Sequence, residues 1–257
     1  MKLIAIMRVK DEIGLIRESL ARLSQLADEI VILDNGSTDG TQDVYGEFPK
    51  VAQVLHTEGF NEGRDKIMLL NAAKARQPDW LIFLDADEIF EKHLTRADLD
   101  RYMAMKRERI DFRFCHFWLD RRHYRVGRKF FLYSLQPLRC LWRDSERAYF
   151  QDQVIHNDII KGITKWSYFS PYRIKHYGYA DKEKIKAKLK LYRSIDGDKR
   201  DYDYLDPDQR VWRLPFIEFE NRKLNYAFII FYKYVCHALW IGPIIWYRLI
   251  RIFSKKK

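Results

Sequence analysis

The chain has 257 residues, of which 47% are hydrophobic and 32% charged, and it contains only 11 Gly and 7 Pro. This composition excludes a disordered or fibrous protein and allows one sizeable core. The net charge of +11 is unevenly placed: residues 1–100 carry 12 Lys and Arg against 19 Asp and Glu, whereas residues 101–257 carry 35 against 17. A basic half indicates an anionic partner, and an acidic half can hold a divalent cation.

Apolar runs in the first half predict four buried strands, at 3–7, 29–34, 51–56 and 80–85. Residues at helical spacing predict a helix after the first strand and another over about 61–76, which Pro78 ends. The apolar faces of the two helices are Ile13, Ile16, Leu20 and Leu23, and Met68, Leu69, Ala72 and Ala75. This alternation predicts an α/β fold with a mostly parallel sheet and helices on both faces.

From about residue 110 the pattern changes. Every second residue from 110 to 118 is apolar or aromatic, which places one side of a predicted strand against the core: Ile110, Phe112, Phe114, His116 and Trp118. The segments FFLY and PLRCLW are predicted as further strands of an antiparallel extension. Asp181 is placed to cap a helix with one apolar stripe, Ile185, Leu189, Tyr192 and Ile195. We interpret the lysines of that helix as its solvated face.

Two of the predicted strands end in acidic residues. Asp34 opens the turn-forming sequence DNGSTDGT, and Asp85 opens DADE. Ligands of open α/β sheets bind beyond the carboxyl ends of the strands, and period-two geometry points Asp85 and Asp87 to the same side. Carboxylates held this close need a positive partner, and their hard oxygen atoms suit Mg²⁺ or Mn²⁺.

The chain resembles family 2 glycosyltransferases with the GT-A fold in three segments. These are RVKDE after the first strand, DNGSTDGT after the second, and FLDADE about fifty residues further on. The segments LQPLRCLWRDSERAYFQDQVIHND and KHYGYADKEKIKAKLKLY are similar to bacterial members that build lipopolysaccharide core or related glycans. The resemblance implies a nucleotide-sugar-binding half at 1–110, an acceptor-side half of the same domain at 111–200, and a helical tail at 201–257.

The resemblance also implies a donor site. Asp34 would contact the base or ribose, with Asp39 and Glu12 at the same pocket. Arg64 matches the Arg of an Arg-Asn pair that approaches the donor, although this chain has Asp65 in place of the Asn. Asp85 would face the ribose or the metal. The implied metal ligands are Asp87 and, in the sequence IKHYGY, His176.

These roles imply an inverting transfer from a nucleoside-diphosphate sugar, taken as a UDP-sugar, to a hydroxyl of a glycan or lipid-linked acceptor. A divalent cation would neutralise the departing diphosphate, and a base would take the proton of the attacking hydroxyl. Where family members show His-Glu, this chain reads IHND. The base is therefore left open among three residues, Asp152, His156 and Asp158.

The carboxyl-terminal segment is rich in aromatic residues and Ile but is interrupted by Lys233, His237 and Gly242-Pro243. It is too broken to cross a bilayer, and it predicts two short amphipathic helices on a membrane surface, with the terminal KKK on anionic lipid. A helical pair packed on the catalytic domain or on a second copy is the alternative. The start, MKLIAIMRVKDE, has too short an apolar run for a signal peptide, and the three cysteines form no disulfide pattern, so we expect a cytoplasmic protein on the inner face of the membrane.

Two other functions compete with this interpretation. A nucleotidyltransferase of sugar phosphates would also use strand-end carboxylates and a metal, but it should have a Gly-rich phosphate loop after the first strand, where this chain has a single Gly in RVKDEIGLI. A non-catalytic basic module on membrane or nucleic acid would use a patch made of Arg113, Arg121, Arg122, Arg125, Arg128 and Lys129. That hypothesis leaves DNGSTDGT and DADE unexplained, so we expect no nucleic-acid partner.

Overall fold

Four strands of the first half form the parallel part of one sheet. The computed structural model describes residues 1–126, 137–155, 160–197, 202, 205–208 and 211–216. The strands are β1 (Leu3–Val9), β2 (Glu29–Asp34), β3 (Val51–His56) and β4 (Trp80–Asp85), in the order β3-β2-β1-β4. All four were predicted. Their side chains alternate between two buried layers, where each fully buried Leu or Ile contributes about 1.5–3 kcal/mol.

Helices cover both faces of the sheet, as predicted. Helices α1 (Ile16–Ser24) and α3 (Arg96–Met103) pack on one face, and α2 (Glu62–Lys74) packs on the other. Ile13 lies before α1 and is 44% exposed, so its assignment to the apolar face was wrong.

The buried face of α2 is also rotated from the predicted one. Leu69, Leu70 and Ala73 are buried, whereas Ala75 is exposed and lies just after the helix. The reason is that the first turns of α2 bury Glu62, Asp65 and Lys66 as well, so the helix turns a polar face toward the ends of the strands.

The second half extends the same sheet, mostly by antiparallel pairing. Strands β5 (Glu88–Phe90), β6 (Arg109–His116), β8 (Pro137–Arg143) and β9 (Tyr168–His176) continue it in the order β4-β8-β6-β9-β5, while β7 (His123–Val126) pairs with β10 (Trp212–Pro215). β8 runs antiparallel to β4 and β6, and β9 runs parallel to β6. The predicted α/β fold, with a mostly parallel sheet in the first half, helices on both faces and an antiparallel extension, is confirmed. Residue 110 lies within β6, so the chain on both sides of it belongs to one sheet. The division of the chain into functional parts at residues 110 and 200 stays a prediction.

Helix α4 (Lys182–Asp196) follows β9 and begins where predicted. The Asp181 side chain caps it by accepting a hydrogen bond from the Lys184 backbone N–H at 2.9 Å. Ile185 is buried, and Leu189 and Tyr192 pack with it against Trp118. In the part of the chain that the structure describes, no helix has the length and apolar content to span a membrane. The FFLY strand and nearly all of the predicted tail lie outside the described residues.

Candidate active site

A cleft of about 470 Å³ opens at the carboxyl edge of the parallel strands. Arg8 of β1 and Asp85 of β4 pair in register there, and both line the cleft. The opposite side is helix α4, which presents residues 184, 187, 188, 191 and 192. This position, beyond the carboxyl ends of the strands, is where open α/β sheets bind ligands.

Two arginines hold Asp85 at the end of β4. Its Oδ1 accepts a hydrogen bond from Arg8 Nε at 3.2 Å, and its Oδ2 accepts one from Arg139 Nη2 at 2.8 Å. Burial opposes ionisation of this carboxyl, but Arg8 and Arg139 keep its pKa below the usual value. Asp85 is therefore a fixed anion in the cleft.

Arg139 also binds Glu88. Arg139 Nε and Nη2 donate to the two carboxylate oxygens of Glu88, both at 2.8 Å, and Glu88 Oε2 accepts the Asp85 backbone N–H at 3.1 Å. Burial, only partly offset by Arg139, raises the pKa of Glu88 to about 8. One guanidinium thus orients both acidic residues that flank Asp87 and cancels part of their charge.

Asp87 lies at the centre of the acidic group. Its Oδ2 accepts a hydrogen bond from Lys188 Nζ at 3.0 Å and lies 3.7 Å from His176 Nε2. Its Oδ1 is buried and has no hydrogen-bond partner among the described residues. Burial opposes ionisation, but Lys188 and His176 hold the pKa of Asp87 well below its ordinary value. A buried anionic oxygen without a partner is costly unless a cation or donor binds there.

The backbone at Gly178 makes room for this cluster. A Cβ placed on Gly178 would lie 2.4 Å from Lys188 Nζ, 2.5 Å from Asp87 Oδ2 and 2.6 Å from His176 Nε2. Three polar atoms therefore converge on the space that any larger residue would fill.

The cluster fits a divalent cation. Asp87, Glu88 and His176 each offer one ligand atom, and these atoms lie within 4.8 Å of one another. Carboxylate oxygens with one imidazole suit Mn²⁺ or Mg²⁺, and Asp87 Oδ1, which has no hydrogen-bond partner among the described residues, is available as a ligand atom. The sequence predicted Asp87 and His176; Glu88 was not assigned to the metal.

A second histidine orients His176. The Nδ1 atoms of His116 and His176 are 2.7 Å apart, so one of them carries the proton and the other accepts it. Burial lowers the pKa of His176 to about 4, and it is neutral at pH 7. When His176 donates from Nδ1, its Nε2 presents a lone pair toward Asp87, as metal binding requires.

The interpretation of the α4 lysines as a solvated face was wrong for two of them. Lys184 and Lys188, four residues apart, line the cleft, and Lys184 Nζ is 2.6 Å from Glu12 Oε2. Lys182, Lys186 and Lys190 are exposed. Burial and the nearby Asp87 raise the pKa of Glu12 to about 7, although Lys184 opposes this. The two lysines were misassigned because α4 lies beside an acidic cleft. Lysines on that side of the helix form ion pairs with carboxylates and do not extend into solvent.

Asp34 and Asp39 hold the loops around the cleft and do not line it. Asp34 is fully buried, and its carboxylate accepts hydrogen bonds from the Ser37 N–H at 2.7 Å and from the Tyr45 hydroxyl. Asp39 is exposed and accepts the Ile13 backbone N–H at 3.0 Å. Their predicted contacts with a donor stay predictions.

Arg64 lies outside the cleft lining, whereas its neighbour Asp65 belongs to it. Arg64 Nε donates to Asp65 Oδ1 at 2.9 Å, and its guanidinium also donates to the backbone oxygens of Glu58 and Gly59. Arg64 therefore fixes the Asp65 carboxylate and the loop before α2. Its approach to a donor stays a prediction.

Of the three candidate bases, His156 and Asp158 lie outside the described residues. Asp152 is exposed and does not line the cleft. Its loop docks on the start of α2, where the Gly63 N–H donates to the Gln153 carbonyl at 2.9 Å. A Cβ on Gly63 would lie 2.4 Å from the Gln153 nitrogen, so this docking requires glycine.

Sequence reasoning missed Arg8, Glu88 and Arg139, and it misassigned Lys184 and Lys188. Three of these residues, Arg8 and the two lysines, carried a signal. Arg8 stands at the end of the first strand, on the same edge as the predicted acids, and the spacing of four between the lysines places them on one helix face.

Comparison with known proteins identifies one family. The model described as "Glycosyl transferase family 2" matches residues 4–139, more than half of the chain. A curated relative, a TPR repeat-containing protein of Synechococcus elongatus, is 36% identical over 85 residues, which cover 32% of this chain and only 19% of that protein.

Two solved structures illustrate the matches among known structures. S. aureus TarS 1–349 in complex with UDP-GlcNAc is 16% identical, with 80% of this chain and 70% of that chain covered at a TM-score of 0.48. The chain spans 42% of a longer TarS structure. Mannosyltransferase PcManGT from Pyrobaculum calidifontis, in complex with GDP-Man and Mn²⁺, is 16% identical, with 61% and 49% covered at a TM-score of 0.43.

Proposed function

The chain belongs to glycosyl transferase family 2, and from this membership we propose that it transfers a sugar from a nucleoside-diphosphate sugar to a hydroxyl group, with inversion and with a divalent cation. The observation that carries the proposal is the cluster of Asp87, Glu88 and His176 at the carboxyl edge of β4. Asp87 lines the cleft, and its buried Oδ1 has no hydrogen-bond partner among the described residues. The proposed donor is a UDP-sugar.

In the proposed site, Asp87 and His176 hold the cation, and Glu88 is close enough to join them. Bound there, the cation would neutralise the charge that develops on the departing diphosphate. Arg139 and Arg8 keep Asp85 ionised and fix the position of its carboxylate. The proposed role of Asp85 is to face the ribose or the metal. Arg139 also bridges Asp85 and Glu88, so its positive charge offsets part of the negative charge beside the cluster before the cation binds.

Inversion requires one displacement. The acceptor oxygen bonds to the anomeric carbon as the bond from that carbon to the diphosphate oxygen breaks, and a base takes the hydroxyl proton. Asp152, His156 and Asp158 are proposed for the base. Asp152 has the support that its loop docks on α2 next to Glu62, a residue of the cleft.

The proposed acceptor is a glycan or a lipid-linked sugar, as in lipopolysaccharide-core assembly, reached at the inner face of the cell membrane. The support for a membrane surface is the basic and aromatic sequence after residue 201. We assign that tail a peripheral membrane role.

The proposal is tested by incubating the chain with a panel of nucleotide sugars and measuring release of the nucleoside diphosphate with Mn²⁺, Mg²⁺ or EDTA. We expect metal-dependent hydrolysis of one donor, and its loss in Asp87→Asn. Asp100→Asn, at an exposed position on α3, is the matched control and should retain the wild-type rate. Hydrolysis that is indifferent to EDTA would contradict the metal-assisted mechanism. Formation of a nucleoside triphosphate and a sugar 1-phosphate when pyrophosphate is added to the nucleotide sugar would favour a nucleotidyltransferase.

A further inference from the structure

Lys188 binds the carboxylate of Asp87 at a position where a metal ion would also bind. Its ammonium lies 3.0 Å from Asp87 Oδ2, and the Cβ position of Gly178 lies within 2.6 Å of Lys188 Nζ, Asp87 Oδ2 and His176 Nε2 alike. An ammonium group, a carboxylate oxygen and an imidazole nitrogen thus surround one small space. With Asp87 ionised and buried, Lys188 is its nearest cation in the described chain.

A divalent ion and this ammonium compete for the same oxygen. Both are positive, and their repulsion in a cleft of low dielectric is strong. The four-carbon stem of lysine is flexible, and the Lys188 side chain is 28% exposed, so its ammonium has a route out of the cluster toward the open cleft. The rigid atoms, by contrast, are those of the short, buried side chains of Asp87 and His176.

We infer that Lys188 is a built-in counter-ion of Asp87 in the donor-free protein, that a divalent cation displaces it, and that the released ammonium then binds the diphosphate of the donor. This inference rests on the proposed function of the cleft and assigns Lys188 to diphosphate recognition. Helix α4 supports the assignment because Lys184 and Lys188 both face the cleft and give that side two positive charges.

The arrangement couples metal binding to donor binding. A cation binding alone must break the pair between Lys188 and Asp87, and the ammonium is left without an anionic partner. When the diphosphate is present, the displaced ammonium has a new partner, so each ligand favours the other. The mobile lysine therefore disfavours a metal-loaded cleft that lacks its donor.

The test measures binding of Mn²⁺ alone, by electron paramagnetic resonance of the free ion, and then again with UDP or GDP present. It uses the full 257-residue chain and its Lys188→Gln variant. Lys188→Met, which keeps the aliphatic stem, is the second variant, and Lys190→Gln, on an exposed position of the same helix, is the matched control. Melting curves establish that each variant is folded.

We expect Lys188→Gln and Lys188→Met to bind Mn²⁺ alone more tightly than wild type, by a factor in the range of about 5 to 150 that is typical of coupled sites. The factor by which the nucleoside diphosphate improves Mn²⁺ affinity should fall by a similar amount, and Lys190→Gln should match wild type in both. Equal Mn²⁺ affinity in wild type and both Lys188 variants, or no binding by any of them, overturns the inference.

Failure of the proposed function gives a different result. If wild type turns over no nucleotide sugar but the Lys188 variants still bind Mn²⁺ more tightly, the competition for Asp87 holds and the reaction assigned to the cleft is wrong. If wild type is active and the Lys188 variants bind Mn²⁺ with the wild-type affinity, the proposed role of Lys188 is wrong and the proposed function stands.

Discussion

Replacing Gly178 by alanine should disable the site while the fold survives. The added methyl carbon would lie 2.4–2.6 Å from Lys188 Nζ, Asp87 Oδ2 and His176 Nε2. Ordinary contacts of this kind are about 3.5 Å or longer, so the side chains must move by about 1 Å. Lys188 can swing away, but Asp87 and His176 are short and buried.

A displacement of about 1 Å in a catalytic constellation lowers turnover by about 100-fold, and overpacking lowers the free energy of unfolding by about 1–3 kcal/mol. Donor hydrolysis measures the first quantity, and urea denaturation measures the second. Gly46→Ala is the matched control, because a Cβ there meets no atom of the described residues within 4 Å. Wild-type turnover by Gly178→Ala would refute the assignment of this cluster to the reaction.

Three further results are expected. The unfolded His176 has the ordinary pKa of 6.5 and the folded one a pKa of about 4, so the unfolded chain binds the extra proton and the contribution of this imidazole to the free energy of unfolding should fall by about 3 kcal/mol between pH 6.5 and 4; in urea titrations the difference between wild type and His176→Gln should change by this amount over that range, and the difference between wild type and the exposed His56→Gln should stay constant. Asp34→Ala should cost about 1–3 kcal/mol of unfolding free energy through the Ser37 and Tyr45 hydrogen bonds and should raise the donor KM, and unchanged donor binding by calorimetry would remove Asp34 from the donor site. Deleting residues 224–257 should release a more soluble protein that still hydrolyses its donor but transfers poorly to a membrane-borne acceptor; unchanged transfer together with a full-length chain that needs neither membrane nor detergent would contradict the peripheral role.

The position of the site could be predicted from the sequence because the end of a buried strand is marked by the end of an apolar run. Asp85 and Asp87 were found from an apolar run that ends in acid, and β1 and β4 are neighbours in the sheet, as a parallel arrangement allows. His176 came from family resemblance alone, and the structure brings it next to Asp87. No local pattern links residues so far apart in the chain.

The charged partners of the acidic residues could not be predicted from the sequence, because they are distant in the chain and only the fold brings them together. Arg139 reaches Asp85 only because β8 inserts antiparallel beside β4, and that pairing is a long-range property of the sheet. The face of α2 was misjudged because apolar periodicity assumes that helices bury only apolar residues. Here the packing of α2 against the cleft buries Glu62, Asp65 and Lys66 as paired groups.

The most direct test of a metal-assisted donor site is an anomalous difference map from crystals of the chain grown with Mn²⁺ and a nucleoside diphosphate. We predict one strong peak in direct coordination with Asp87 and the Nε2 atom of His176, next to the diphosphate, with Lys188 withdrawn from Asp87. A nucleoside diphosphate bound in the cleft with no peak at Asp87, or a peak at a different group of residues, would contradict the account.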